Sequence, residues 1–123
     1  MRKIKVNKKD LERKNKNVAK VLDELIEAHL RYHDRDKSIA TAKKLLALKP
    51  NDPYPLEKLT SICIDLNEID TADEGCTYME QHFEPSGYRV FLRSRVCDLK
   101  TDYGGCIKYS EEALKIPGND LLT

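Results

Sequence analysis

A shift of 34 residues lays this chain on itself. Ser38, Ala72 and Cys106 then share one column, Ala42, Cys76 and Ser110 a second, and Leu45, Met79 and Ala113 a third. In the segments ahead of these, Leu22, Leu56 and Val90 align, as do His29, Cys63 and Cys97. The two clearest copies read DRDKSIATAKKLLALKPND from Asp34 and DYGGCIKYSEEALKIPGND from Asp102, and the more worn middle copy reads EIDTADEGCTYMEQHFEPS. A period of this length implies one supersecondary unit written about three times. Each unit is too small to bury its own apolar face and has to stack on its neighbour.

The spacing within each copy is helical. Val18, Val21, Leu22, Leu25, Ile26, His29 and Tyr32 predict a first helix over about Asn17 to Tyr32. A polar break, Asp34 to Lys37, separates it from a second helix carrying Ile39, Ala42, Leu45, Leu46 and Leu48, which ends at Pro50. Asp52 is placed to cap a third helix, whose first turn holds Pro53 and Pro55, where a missing N–H costs little. Leu56, Leu59, Ile62, Cys63 and Leu66 continue it. Further helices are expected over about Thr71 to His82, Tyr88 to Leu99 and Gly104 to Ile116. No segment alternates with period two for long enough to predict a strand. The expected fold class is all-α. The small residues in two of the columns would let paired helices approach closely.

Period and columns together resemble the tetratricopeptide repeat: a small residue opens the second helix, further small residues lie within it, and a Pro closes it. SIATAKKLLALKPND and DYGGCIKYSEEALKIPGND carry the resemblance best, and it spans about Ala19 to Asp120. Departures are visible. The bulky Trp and the Leu-Gly of the first helix are missing, Glu84 stands where the middle copy should close with Pro, Pro117 comes one place early, and Arg93 and Ser94 replace an apolar pair. The resemblance implies an α-solenoid of antiparallel helix pairs wound as a right-handed superhelix. Its repeats would cover about 19–52, 53–86 and 87–120, within a domain over 17–120.

Charge is unevenly spread. The first 20 residues hold nine Lys and Arg against Asp10 and Glu12, a net +7, which leaves about −6 for the rest of a chain whose total is +1. Residues 1–16 therefore read as a basic, solvated and partly disordered lead-in. They lack the apolar core of a signal peptide, and no apolar run approaches the roughly 20 residues of a membrane span. The expected location is cytoplasmic. Binding of nucleic acid or an anionic surface through this segment is the weaker reading, because no aromatic residues are interleaved for base stacking.

Nothing in the sequence points to catalysis, a cofactor or a metal. Cys63, Cys76, Cys97 and Cys106 have no CxxC spacing and all fall in packing columns, where a free thiol acts as a small hydrophobe. His29 and His33 are one helical turn apart but lack the Glu of HExxH. His82 is a lone residue at a helix end. YGGC is too short for a phosphate-binding loop.

In proteins of this family the leading helices line an inner groove. The resemblance therefore implies a partner-binding face built from residues one step off the packing columns. These are Lys20, Asp23, Glu27, Leu30 and Arg31 on the first helix; Tyr54, Glu57, Ser61, Ile64 and Asp65 on the third; and Tyr88, Phe91, Arg95, Asp98 and Leu99 on the fifth. Tyr, Phe and Arg are typical peptide anchors. Asp23 and Glu27 would repel a C-terminal carboxylate, so a chaperone tail is not the expected ligand. The expected function is a noncatalytic scaffold that binds a protein or peptide segment. The alternative is the helical start of a larger enzyme whose chemistry lies beyond residue 123. Ile107, Leu114 and Ile116 on the sixth helix, with only PGNDLLT after it, lead us to expect either a continuing natural chain or self-association through the C-terminal repeat.

Overall fold

The computed structural model describes residues 7–117. Six helices follow one another: α1 (Lys8–Arg31), α2 (Arg35–Leu48), α3 (Pro53–Asp65), α4 (Ile69–His82), α5 (Gly87–Leu99) and α6 (Tyr103–Lys115). No strand occurs among the described residues, so the fold is all-α. The chain divides into two compact units, Met1–Pro55 and Leu56–Thr123, with the division one turn into α3.

Four of the six helices start within two residues of the expected positions, and α2 starts at Arg35, inside the expected polar break of Asp34 to Lys37, because Asp34 caps it. α1 departs most, beginning nine residues before Asn17. Only Leu11, seven residues before Val18, carries the apolar spacing into that stretch, and local chemistry supplies the rest. Asn7 accepts a hydrogen bond from the Lys9 N–H at the N-terminus, Asp10 sits in the positive first turn, and the Arg13 guanidinium reaches Asp10 at 3.0 Å. Of the expected lead-in, residues 8–16 are thus helical, and residues 1–6 lie outside the described residues.

In the N-terminal unit, α2 folds back on α1. The Ser38 hydroxyl is buried and donates to the carbonyls of Asp34, at 3.0 Å, and Ile26, at 3.4 Å. A larger residue at 38 would push the two helices apart. Ala19 and Ile26 of α1 and Ile39, Ala42 and Leu45 of α2 make the core around this contact. In the C-terminal unit Gly75 of α4 does the same job against α3. A Cβ there would lie 2.3 Å from Thr60 Oγ1, inside any permitted contact, and Thr60 is itself fully buried. Leu56, Leu59, Cys63, Ala72, Cys76, Met79, Leu92, Val96, Cys97 and Ala113 complete that core.

The period seen in the sequence returns in the backbone. His33, Asn67 and Thr101, each 34 residues from the next, all take left-handed φ values of 58° or 59°. Around each, the same bonds form. The Asp34 N–H donates to the His29 carbonyl, Glu68 to Cys63, and Asp102 to Cys97, while the left-handed residue donates to Leu30, Ile64 or Asp98. This double closure ends one helix, and the next residue at once becomes the N-cap of the following helix. Asp34 and Asp102 cap through their side chains, accepting from the N–H groups of Lys37 and Gly105, whereas Glu68 makes no such bond. Asp52 caps α3 as expected, accepting from Tyr54 N–H at 3.0 Å.

Candidate partner-binding site

In the C-terminal unit α3 and α5 are joined by two ion pairs. Glu57, near the start of α3, meets Arg89, near the start of α5, at 3.1 Å, with both side chains mostly buried. Asp65, at the end of α3, meets Arg95 on the later half of α5 at 2.7 Å and is more exposed. Start pairs with start and end with end, so the two helices lie alongside each other in the same direction. Arg89 is also anchored by its own backbone surroundings. Its guanidinium donates to the Glu84 carbonyl, and its N–H to the Ser86 hydroxyl that caps α5.

Asp65 and Arg95 are brought together as a pair, and Glu57 is present but engaged by Arg89. Phe91 and Asp98 are exposed, and Ser61, Tyr88 and Leu99 are half-buried. Ile64 is the correction: at 5% exposure it belongs to the core rather than to an open face. Its helical position lies one step from Cys63, which is also buried, and the packed arc of α3 is wide enough to take both. In the N-terminal unit Lys20, Arg31 and Tyr54 are exposed, and Asp23, Glu27 and Leu30 are half-buried. Glu27 and Arg31 approach to 3.9 Å along α1.

Arg89 was missed by the sequence reading, although a signal for it exists. Glu57 and Arg89 are 32 residues apart, and Asp65 and Arg95 are 30 apart. In a repeat of 34, opposite charges at slightly less than one period fall on facing positions of successive leading helices.

Arg93 and Ser94, which break the apolar pattern, have separate explanations. Ser94 is buried and returns its hydroxyl to the Phe91 carbonyl at 2.6 Å. Arg93 joins α5 to α4. Its guanidinium binds both oxygens of Glu80, at 2.7 and 2.9 Å, Asp73 at 2.5 Å and the Thr77 hydroxyl at 3.1 Å. Lys100 adds a second cation on Asp73 at 2.6 Å. The hydrogen bonds from Lys100 and then Arg93 hold the Asp73 carboxyl below its ordinary range. Donating to the Glu80 and then the Asp73 carboxylate holds Arg93 more firmly charged than usual. The group is a structural clamp in which both cations are held by the acids of α4.

The thiols are poorly placed for chemistry. Cys63, Cys76 and Cys97 are buried, Cys106 is half-buried, and all four are free. Burial pushes the Cys76 thiol up to about 12 and also raises Cys97, so neither supplies a thiolate near neutral pH. Among the described residues no three His, Cys, Asp or Glu side chains gather as a metal site, and no helix is long and apolar enough to cross a membrane.

Each unit also has a cleft. In the N-terminal unit one of about 580 Å³ opens between the early turns of α1 and the α2–α3 link, with Lys9, Arg13, Lys16, Lys20 and Lys49 on its walls. In the C-terminal unit one of about 490 Å³ is lined mainly by apolar groups, including Met79, Phe83, Val90, Tyr109 and Ile116. Comparison with protein-family models gave no match. Comparison with curated proteins gave none. No solved structure matched either.

Proposed function

We propose that this chain is a tetratricopeptide-type α-solenoid of antiparallel helix pairs and acts as a noncatalytic, cytoplasmic scaffold, holding an extended segment of a partner protein along its leading helices. The observation that carries the reading is the pairing of α3 with α5. Two ion pairs align them in the same direction, and Tyr88, Phe91, Arg95 and Asp98 lie on the second of them. The identical turns at His33, Asn67 and Thr101 support the repeat that the reading requires.

The chemistry of the face fits a peptide better than a small molecule. Phe91 and Tyr88 supply flat apolar area at low conformational cost, and Arg95 and Asp98 supply charges of both signs. The Arg95–Asp65 pair is only partly buried, so a ligand carboxylate can compete for the guanidinium without leaving a desolvated charge behind.

Selection from a displayed peptide library tests this. Ligands are expected to carry an apolar anchor, and their affinity should fall about tenfold or more with Phe91→Ala or Arg95→Ala, a typical anchor loss. Melting temperature should change little. Selected ligands that bind both variants and Tyr54→Ala as tightly as the parent would overturn the assignment.

A further inference from the structure

α1 has a second apolar face that no element of its own unit covers. Its first face, centred on Ala19 and Ile26, is buried. Roughly a third of the way round the helix, Leu11, Val18, Val21 and Leu25 are between 41% and 63% exposed, and Tyr32 just past the helix end is more exposed still. These positions are not scattered. Leu11, Val18, Leu25 and Tyr32 recur at every seventh residue, and Lys14, Val21 and Ala28 fall three residues after the first three of them. That is the seam of a two-stranded coiled coil, running the whole length of a 24-residue helix, or about 36 Å.

Charge along α1 selects the occupant and its direction. Residues 8–20 carry six Lys and Arg against Asp10 and Glu12, whereas residues 21–31 carry Asp23, Glu24 and Glu27 against Arg31. Two copies laid parallel would set the basic halves against each other. Two copies laid antiparallel set each basic half against an acidic one. With Val18 layered on the partner's Val21, Asp10 of each copy comes opposite Arg31 of the other. Lys14 then meets Leu25 beside Glu24, and a single polar residue of this kind in a seam fixes register.

We propose that this face is an interface for a second copy of the same chain, formed by antiparallel pairing of α1 along the Leu11–Tyr32 seam. It is separate from the leading-helix face of α3 and α5 and from the exposed Ile107 and Leu114 of α6. The occupant is fixed by self-complementary charge and heptad spacing in one helix.

Sedimentation velocity over a concentration series decides it. The full chain should pass from monomer to dimer, and Val21→Lys should raise the dissociation constant at least about tenfold, as burying a charge in an apolar seam requires. Leu114→Lys on α6 should leave it unchanged. Val21 is exposed in the single chain, so circular dichroism of the variant should match the parent. Direction is read by cross-linking in a Cys106→Ser background: an equal mixture of Leu11→Cys and Ala28→Cys should give the mixed disulfide dimer in preference to either homodimer. A monomer at every concentration, a dimer indifferent to Val21→Lys, or efficient cross-linking of Leu11→Cys to itself would each overturn the proposal.

Discussion

Between α1 and α2, between α3 and α4, and between α5 and α6, the chain turns through the same backbone bonds. Between α2 and α3, and between α4 and α5, it does not repeat itself. Lys49 ends α2 in the left-handed region and leads into a buried Pro50. Phe83, 34 residues later, ends α4 extended at φ −129° and leads into an exposed Glu84. In the first kind of turn the main chain sets the geometry, and three different side chains, His, Asn and Thr, occupy its left-handed position. At the α4–α5 link side chains set it. Arg89 holds the Glu84 carbonyl, Ser86 caps α5, and Arg93 pins α5 back onto α4. A backbone device tolerates drift in sequence, whereas a side-chain device depends on particular residues.

The largest effect should therefore come from the side-chain link. Arg93→Ala leaves Asp73 and Glu80 facing each other without their shared cation, and should cost about 2–3 kcal/mol, less than a fully buried pair because both acids are partly exposed. Urea unfolding measures it, and hydrogen exchange should place the loss in the C-terminal unit. A loss under about 0.5 kcal/mol would put the network among ordinary surface pairs. The same link should fail in acid. The Asp73 carboxyl has a lowered pKa when folded, so its contribution is complete above its ordinary value of 3.8 and disappears as pH falls through the lowered one. Asp73→Asn should flatten the melting temperature over that range.

Much of the backbone device was legible in the sequence. Columns of Ser38, Ala72 and Cys106 locate the second helix of each pair, and the expected polar breaks of Asp34 to Lys37 and Asn67 to Asp70 begin at the turns but run on into the first turns of α2 and α4. The early start of α1 was hard to read, because Leu11 alone continues the apolar spacing through residues 8–16 amid a run of charge, and the Asn7 cap and the Arg13–Asp10 pair account for the rest. The candidate site was legible in part. Asp65 and Arg95 stand out as polar residues off the packing columns. Ile64 lies equally far off the columns yet is buried, since whether such a position is covered depends on neighbouring helices that the period alone does not supply. Arg89 and Arg93 are long enough to reach a neighbouring helix, so their partners are set by the packing rather than by spacing within their own helix.

The turns themselves offer an intermediate effect. A β-branched residue in the left-handed region is strained by about 1–2 kcal/mol, and Gly is not, although Gly gives back part of that gain through a freer unfolded chain. Thr101→Gly should raise stability by about 0.5–1 kcal/mol, even though the Thr101 hydroxyl loses its bond to the Lys100 carbonyl. His33→Gly should gain less, and Asn67→Gly about nothing, because Asn already tolerates this conformation. Equal gains at all three positions would mean that the side chain at the left-handed position contributes no strain of its own.

The smallest effect concerns the one turn that lacks a side-chain cap. The Asp34 and Asp102 carboxylates accept from the N–H three residues on, whereas Glu68, at the same place ahead of α4, makes no such bond. Its extra methylene carries the carboxylate past the N–H groups that Asp reaches. Glu68→Asp should restore the bond and raise stability by about 0.5 kcal/mol, the low end of the usual capping contribution, because Asp70 already favours the first turn of α4 and Glu68 gives up its present contact. The reciprocal changes, Asp34→Glu and Asp102→Glu, should each lose a similar amount. Denaturant midpoints of the three variants resolve differences of this size when the slope is unchanged. A gain at 68 together with losses at 34 and 102 would show that one capping rule governs all three turns. No gain at 68 would mean that the backbone bonds around Asn67 already fix the start of α4 without help from a side chain.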